Sequence, residues 1–348
     1  MIRSLTLTSL SLLFAGTTSA AQPILVQEPD STTNAKLVEP SATRAIHPGE
    51  KINRLTTLNL TRPYVLQRLT RRTYWFQRQF YGVTFYVGNQ GVLLFDAPPG
   101  RGEHILKAVG EVTKLPVTAL AYSHFDATHI GDARIFVDAA KRADVPLRVI
   151  ASQATAEKLA FLNSQLPPVT DVIDWPNGSF MFEGLKVEWH GFPRAAQTDD
   201  HGVWLLVGER VLHATDLINP DQLPFLGFAG NENFHYHEPN LWQVLELDWV
   251  FMNGAHGNVG TKEDIEFQLQ YIEDMQEAVR EALQALAFTS FLDPKYGNNH
   301  AAFTKVWRDA IAERATDALR PTYGQYYGFE ESTPINAEMV RRDLGAIH

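Results

Sequence analysis

The amino-acid sequence predicts a mixed α/β fold, in which two β-sheets pack face to face and helices cover their outer sides. Strand-like segments dominate the first part of the folded region, helices and strands alternate in the middle, and strand-like segments then return before a helical end. Hydrophobic residues make up 45% of the 348 residues, which is enough for a substantial core. This order of segments fits an αββα four-layer sandwich.

The strand predictions rest on short apolar or β-branched runs that are bounded by turn residues. Residues 89–91 and 208–210 are turns of this kind, and Glu183-Gly184 lies at the centre of a hairpin. The predicted strands cover residues 75–81, 83–87, 92–95, 117–121, 147–151, 203–207 and 211–214, and the hairpin covers residues 179–189.

Helices are predicted where apolar residues recur every three or four positions. Residues 263–287 carry the clearest pattern, with Ile265, Leu269 and Ile272 on one face. Shorter helices are predicted over residues 104–112, 132–141, 154–163 and 301–314.

Two segments have the composition of irregular chain. Residues 22–60 are rich in Pro, Ser, Thr and Asn, which favours an extended arm, and the tail from Pro321 is also predicted to be irregular. The predicted organisation is an arm over residues 22–70, a main domain over residues 71–290, and a helical extension over residues 291–348 that packs on the domain.

The N-terminal residues have the pattern of an export signal. Arg3 precedes an apolar stretch, residues 5–15, that is too short to span a bilayer, and small residues follow at 18–21. We therefore predict that residues 1–21 are a signal peptide and that the protein is exported, to the periplasm or outside the cell. No other segment reaches membrane-spanning length, so no membrane partner is expected once the signal is removed.

Charge and cysteine content narrow the range of partners and of stabilising bonds. The formal net charge is −10, and the chain has no cysteine, so it forms no disulfide. An acidic chain without clustered Lys and Arg is a poor match for nucleic-acid phosphates. A small-molecule substrate is the expected partner.

Potential metal ligands are concentrated in the segment His124-Phe-Asp-Ala-Thr-His129. It directly follows the predicted buried strand at residues 117–121. The carboxyl end of such a strand is where α/β proteins usually place their chemistry. The segment is therefore the first candidate for a functional site.

This loop resembles the H-x-H-x-D-H signature of the metallo-β-lactamase superfamily. Asp96 is similar to the aspartate that ends an early strand in that family, Asp216 to the metal-bridging aspartate, and His256 to the late histidine. The resemblance covers residues 73–275 and implies an αββα sandwich of the metallo-β-lactamase type, with a metal site between its loops.

Three positions differ from the family pattern. Asp126 stands at the second histidine, Thr128 at the aspartate, and Gln197 at another ligand histidine. If the loop is extended, residues two apart point the same way, so Asp126 can still face a metal beside His124. The ligands that the resemblance implies are His124, Asp126, His129, Asp216 and His256.

The altered donors favour one bound ion rather than two. Thr128 and Gln197 offer only neutral oxygens, which are weak ligands for zinc. Zinc is the expected ion, and the additional oxygen character also permits manganese or iron. Asp126 and Gln197 are the candidate catalytic residues, with Gln197 donating a hydrogen bond to substrate or water.

The resemblance implies a metal-dependent hydrolase that cleaves an ester, lactone or amide bond with a metal-activated water. Two alternatives remain, because a fold does not define a function: a non-catalytic ligand-binding protein with a degenerate metal site, and an iron-dependent oxidoreductase. A measurement of metal content separates the non-catalytic protein from the two metal-dependent enzymes. The identity of the ion helps to separate the oxidoreductase from the hydrolase.

Further histidines lie near these motifs in sequence. His201 follows Gln197 by four residues and is an alternative ligand, whereas His235 and His237 either form a polar wall of the pocket or bind a metal of their own. His190 and His213 lie in predicted strands, so we expect hydrogen-bonded groups that are buried or support the site.

Overall fold

Two β-sheets lie face to face between layers of helices in the computed structural model, which describes residues 30–347. The signal peptide predicted over residues 1–21 lies outside the described residues. Within residues 30–347, no helix combines the length and the apolar character that crossing a membrane requires.

The strands form a seven-stranded sheet, a six-stranded sheet and a separate pair. The pair is β1 (Lys36–Val38) and β2 (Glu50–Ile52), which run parallel. The first sheet has the order β3 (Val65–Arg68), β4 (Thr73–Arg78), β5 (Tyr81–Val87), β6 (Val92–Phe95), β7 (Val117–Ala121), β8 (Arg148–Ser152), β9 (Asp171–Ile173). The second has the order β10 (Asn177–Phe182), β11 (Leu185–Gly191), β12 (Gly202–Leu206), β13 (Val211–His213), β14 (Phe251–Asn253), β15 (Val259–Gly260).

The helices lie on the outer faces of both sheets, in the N-terminal arm and in the C-terminal extension. They are α1 (Leu55–Thr61), α2 (Gly102–Val112), α3 (Ala127–Ile130), α4 (Ala133–Arg142), α5 (Gln153–Phe161), α6 (Leu226–Gly230), α7 (His237–Leu245), α8 (Lys262–Ala285), α9 (His300–Tyr323) and α10 (Phe329–Ile347). The predicted strands and helices therefore form at the expected places, with differences of a few residues at their ends, except that α9 runs to Tyr323 instead of ending at residue 314.

Three apolar layers hold this architecture together. The two sheets pack against each other through residues such as Phe95 and Trp204. On the outer face of the first sheet, Leu120 packs with Phe136 of α4, and on the outer face of the second, Leu212 packs with Ile272 of α8. The predicted αββα sandwich is confirmed.

The N-terminal arm contains more structure than its composition predicts. Strands β1 and β2 pair within it, and Ile46, Ile52 and Leu58 are buried in the core between the sheets. Tertiary packing of a few apolar side chains offsets the conformational entropy that the Pro- and Ser-rich segment loses on ordering. The arm is part of the folded domain.

The prediction of an irregular tail after Pro321 is wrong. Helix α9 continues to Tyr323, and α10 follows over Phe329–Ile347. Phe329, Val340 and Leu344 are buried against α8 and α9, and this packing outweighs the Pro and Gly residues that lower the local helix propensity.

Lys51 is a buried cation that ties the arm to the domain. Its Nζ lies 2.7 Å from Asp221 Oδ1 and 2.5 Å from Asp264 Oδ1, and its side chain is inaccessible to solvent. Burial alone lowers the pKa of Lys51, but attraction to Asp264 and Asp221 outweighs burial and places this pKa above its ordinary value. The lysine therefore remains charged inside the protein.

Candidate metal centre

Three loops at one edge of the two sheets bring the candidate ligands together. His124 follows β7, and His129 lies one helical turn later in α3. Asp216 follows β13, and His256 follows the neighbouring parallel strand β14. Because each loop leaves the carboxyl end of its strand, the side chains converge above the sheet edge.

Asp216 is the centre of this group. Its Oδ2 lies 3.0 Å from His129 Nε2 and 3.7 Å from His124 Nε2, and its Oδ1 lies 3.2 Å from His256 Nε2. His124, His129 and Asp216 each offer one ligand atom, and these three atoms lie within 4.8 Å of one another. The side chains of these three residues and of His256 are buried.

The hydrogen bond at the far side of His256 indicates how this ring is used. His256 Nδ1 donates to the carbonyl oxygen of Phe80 over 2.6 Å. In the neutral ring, Nε2 then carries a lone pair that points at a carboxylate oxygen, so a proton or a cation is needed between them. A backbone carbonyl that holds the second ring nitrogen is typical of metal-binding histidines.

Unpaired buried atoms also fit a metal site. Among the described residues, His124 Nε2 and Gln197 Oε1 are buried side-chain atoms without a hydrogen-bond partner. An unpaired polar atom of this kind costs free energy unless a ligand satisfies it. Three imidazole nitrogens and one carboxylate oxygen form a donor set that suits zinc. The residues present therefore fit a divalent cation.

Asp96 connects the loop that carries His124 to the loop that carries Asp216. It accepts hydrogen bonds from the backbone N–H of Ser123, from Thr215 Oγ1 and from His213 Nε2. Ser123 Oγ lies 2.9 Å from His124 Nδ1, so Asp96 fixes the loop of His124 and the loop of Asp216 together. The prediction that His213 is a buried, hydrogen-bonded supporting group is confirmed.

The charge state of the centre follows from its ion pairs. Burial alone raises the pKa of Asp216, but attraction to His129 and short contacts with the His129 and His256 rings hold this pKa well below its ordinary value. Burial alone lowers the pKa of His129, but Asp216 outweighs burial and raises it above the ordinary value. Burial lowers the pKa of His124. Asp216 therefore stays ionised and available to a cation.

Asp126 lies at the rim of the centre. It is the N-cap of α3, where its Oδ1 accepts the backbone N–H of Thr128 over 2.8 Å, and it is half-buried. Helix α3 begins at Ala127, so the chain is not extended through this motif. Thr128 is exposed, and Asp126 is not one of the three residues whose ligand atoms converge.

Gln197 reaches the centre from the loop that follows β11. Its Nε2 donates to Asp216 Oδ2 over 3.4 Å, which leaves Oε1 as the unpaired atom. The backbone N–H of Asn233 donates to the carbonyl of Ala196 and fixes this loop. Gln197 therefore stands beside the predicted ligands with one amide atom free to contact a water or a substrate.

The other histidines take different positions. His201 Nε2 lies 2.7 Å from the carbonyl oxygen of Thr215, and burial and the neighbouring His124 lower its pKa to about 4. His235 is half-exposed beside Asp343. His237 is buried in α7 between Asn231 and Gln268, so the prediction of a polar pocket wall is wrong for this residue.

His237 makes the stability of the fold sensitive to acid. Burial lowers its pKa to about 3, whereas the unfolded chain has an ordinary histidine pKa of about 6.5. The unfolded state therefore binds a proton that the folded state does not, and stability falls as pH drops below about 6.5. Between pH 7 and pH 5 this one group lowers the free energy of unfolding by about 2 kcal/mol.

Urea unfolding at both pH values should show that the free energy of unfolding falls less on acidification in His237→Gln than in the parent protein. The exposed His300→Gln should match the parent, and equal losses in all three proteins would contradict the assignment.

An aromatic wall beside His256 was not predicted from the sequence. Phe80 stacks on the His256 ring with centroids 4.1 Å apart, and Tyr81 packs edge-on against both His256 and His129. Phe80 lies in the turn between β4 and β5, and Tyr81 is the first residue of β5. An apolar residue in a turn between two strands is the sequence signal that could have identified this wall.

Comparison with known proteins supports the same family. Residues 79–256, about half of the 348-residue chain, match the metallo-beta-lactamase superfamily. A search of curated proteins found no match.

Solved structures also resemble this chain. The metallo-beta-lactamase IND-7 is 16% identical, with a TM-score of 0.50 over 60% of this chain and 98% of its own. A metallo-beta-lactamase from Pontibacter korlensis is 18% identical with a TM-score of 0.49, over 60% of this chain and 97% of its own. VMB-1 is 17% identical with a TM-score of 0.49, over 61% of this chain and 98% of its own.

The match to the metallo-beta-lactamase superfamily supports a metallo-hydrolase-like function, and this fold commonly binds metal ions. With the αββα topology, the converging histidines and the match over residues 79–256, the chain belongs to the metallo-β-lactamase superfamily.

Proposed function

We propose that this protein is an exported hydrolase that uses one divalent ion, zinc, to cleave an ester, lactone or amide bond in a small molecule. His124, His129, Asp216 and His256 would hold the ion. The observation that carries this proposal is the His256 ring, whose Nδ1 is bound to the Phe80 carbonyl while its Nε2 faces Asp216 at 3.2 Å. A bound cation would satisfy both facing acceptors, the lone pair of His256 Nε2 and the carboxylate oxygen Asp216 Oδ1.

The donor types support a single zinc ion. The four residues combine three nitrogens with one carboxylate, which is a common zinc set with little preference for manganese. A second ion would need the positions of Asp126, Thr128 and Gln197. Thr128 offers only a neutral hydroxyl and Asp126 is occupied as a helix cap, so the residues now at those positions make a poor second site.

When bound, the ion supplies Lewis acidity that polarises a carbonyl oxygen and makes a water more acidic. The protein contributes a buried environment in which Asp216 remains ionised and is held by three histidines. Gln197 presents a free amide oxygen beside Asp216, where it can accept a hydrogen bond from the attacking water and orient it.

Asp126 is assigned the role of proton acceptor in this proposal. It lies at the half-buried rim, and its charge contributes to the raised pKa of His129. A carboxylate that is outside the ligand group but close to it can take the proton that the water loses.

A hydrolysis assay tests this function. Neutral aryl esters, lactones and amides are offered to the protein before and after treatment with dipicolinate, and again after zinc is restored. The proposal predicts hydrolysis that is lost with the chelator and recovered with zinc. Metal binding without hydrolysis of any of these bonds would favour a ligand-binding descendant. Export is tested separately, by finding the mature chain outside the cytoplasm with its N-terminus near residue 22.

Restoring the family pattern should create a second zinc site. The double variant Asp126→His and Thr128→Asp returns a nitrogen donor and a carboxylate to their usual positions. We expect zinc bound per chain to rise from about one toward about two, because both new groups are good zinc ligands. Zinc titration by calorimetry measures this change. The loss of the Asp126 cap costs about 1 kcal/mol, so a variant with Asp126→Asn alone, which retains capping ability, is the control. If the double variant gains no second zinc, residues 126 and 128 point away from the centre.

A further inference from the structure

A largely apolar pocket lies directly beside the candidate metal centre. Its volume is about 670 Å³, within the range of small-molecule sites. Phe80 and Gly257 line it, and these residues also adjoin the centre, since Phe80 stacks on His256 and Gly257 follows it in the chain. We call this cavity the side pocket.

Segments outside the family-matched residues build much of the side pocket. Leu55 and Leu60 of α1 contribute one wall, and Tyr327, Gly328 and Ser332 contribute another, whereas the match ends at residue 256. The pocket therefore depends on the N-terminal arm and the C-terminal extension. Its specificity belongs to this chain rather than to the common fold.

The segment over residues 223–230, which includes the single turn α6, holds the third wall in a costly conformation. Gly227, Phe228 and Ala229 are all left-handed, with φ values of 61°, 51° and 60°. A left-handed residue other than glycine costs about 1–2 kcal/mol, so the surrounding structure must impose this turn.

Helix α10 imposes this turn through one side chain. Asn336 Oδ1 accepts the backbone N–H of Phe228, and Asn336 Nδ2 donates to the carbonyl of Pro224. These two bonds bracket Phe225 and Leu226, which line the side pocket, and Phe225 packs against Phe80 with ring centroids 5.3 Å apart.

The lining is apolar and almost uncharged. Leu60 is 76% exposed, Phe225 42% and Leu226 38%, and all three line the same cavity, so they form a grouped apolar surface and not scattered exposed residues. Polar lining groups are neutral amides and hydroxyls, and within residues 30–347 Glu331 is the one charged side chain that lines the pocket. No Lys or Arg of the described lining is present to attract an anionic group. The surface fits an uncharged apolar group.

We propose that the side pocket binds an uncharged apolar acyl or aryl group of the substrate, while the bond to be cleaved lies at the metal centre. This inference rests on the proposed hydrolase function, and it assigns the substrate class: neutral esters, lactones or amides with a bulky or extended apolar group. Leu60, Phe225 and Leu226 determine this specificity.

Binding is measured first, without turnover. The uncharged fluorophore N-phenyl-1-naphthylamine brightens in an apolar site, and primary alcohols from butanol to decanol are added as competitors. Each added methylene should strengthen competition about three- to four-fold until the pocket is full. Leu60→Asp, a change at an exposed position that should not affect folding, should weaken fluorophore binding at least about ten-fold because it places a charge in the wall. Phe225→Ser should also weaken it.

Phe161→Asp is the matched control, because Phe161 is 83% exposed on α5 and does not line the pocket. It should bind the fluorophore as the parent does. Thermal unfolding of each variant establishes that the fold is intact. Binding that is equal in the parent, Leu60→Asp and Phe225→Ser, or absent from the parent, overturns the side-pocket proposal.

Turnover is measured second, with aryl esters from butanoate to decanoate. The value of kcat/KM should rise with chain length in the parent and in Phe161→Asp, and should lose this dependence in Leu60→Asp. Hydrolysis without chain-length dependence overturns the pocket proposal and leaves the hydrolase proposal standing. Pocket-dependent fluorophore binding without any hydrolysis refutes the hydrolase proposal and retains the pocket as an apolar ligand site.

Discussion

Replacing Asp216 by asparagine is expected to lower kcat/KM for ester hydrolysis by about a thousand-fold or more, because a metal-based electrostatic contribution of several kcal/mol is lost. Asp216 is the carboxylate that all three candidate ligand histidines approach. Its φ is 61°, in the left-handed region that asparagine also tolerates, so the backbone should be preserved. Activity and zinc content are measured on the same preparation.

Asp199→Asn is the matched control, since Asp199 is a nearby but exposed carboxylate beside Lys158. It should retain both zinc and activity. Zinc should also raise the thermal stability of the parent and of Asp199→Asn, by about 3 kcal/mol at a hundred-fold excess over Kd, but not that of Asp216→Asn. An Asp216→Asn protein with full zinc content and full activity would place the ion elsewhere.

Replacing Lys51 by methionine should destabilise the fold by about 3–5 kcal/mol, since it leaves the buried Asp264 and the partly buried Asp221 without a counter-ion. Lys51 Nζ contacts both carboxylates and also links the arm to the loop that follows Asp216. Urea unfolding at neutral pH measures the free energy of unfolding. Lys295→Met should change stability by less than about 0.5 kcal/mol, because the pair of Lys295 with Asp293 is exposed.

The double variant Lys51→Met with Asp264→Asn separates lost packing from unpaired charge. It removes the cation and one carboxylate together, so it should recover part of the stability that Lys51→Met loses. If both variants are equally unstable, the effect comes from packing of the lysine stem rather than from the charges. If Lys51→Met is as stable as the parent, the buried triad does not hold the arm.

Much of the fold was predictable from local sequence pattern. The helix over Lys262–Ala285 appears in the sequence as a three-and-four spacing of apolar residues, and β7 as a short apolar run before polar residues. The tail was not predictable in this way. Helix α10 contains Pro334 and follows Gly328, and it forms because Phe329 and Val340 pack against distant helices.

The candidate site was predictable where ligands follow strands. His124, Asp216 and His256 each lie a few residues after a strand of the sheets, so their convergence follows from topology. The orientation of Asp126 depended on whether the loop was extended. Because the chain turns into α3 at Ala127, Asp126 caps that helix, and its role as a ligand stays a prediction.

The walls of the site depend on contacts between residues far apart in sequence. Phe80 reaches His256 across 176 positions, and Asn336 reaches Phe228 across 108 positions. No periodicity within a single segment encodes such pairs. The proposed substrate-binding surface was therefore not predictable from local pattern, although the candidate metal ligands were.

The central claim is that His124, His129, Asp216 and His256 hold one catalytic zinc ion. Elemental analysis of protein purified from the compartment to which we propose it is exported, without chelator or added metal, tests it most directly. We predict about one zinc per chain in the parent after prolonged dialysis, and a loss of that zinc in Asp216→Asn and His256→Ala. A parent protein that carries no metal, or variants that keep the zinc in full, would contradict the claim.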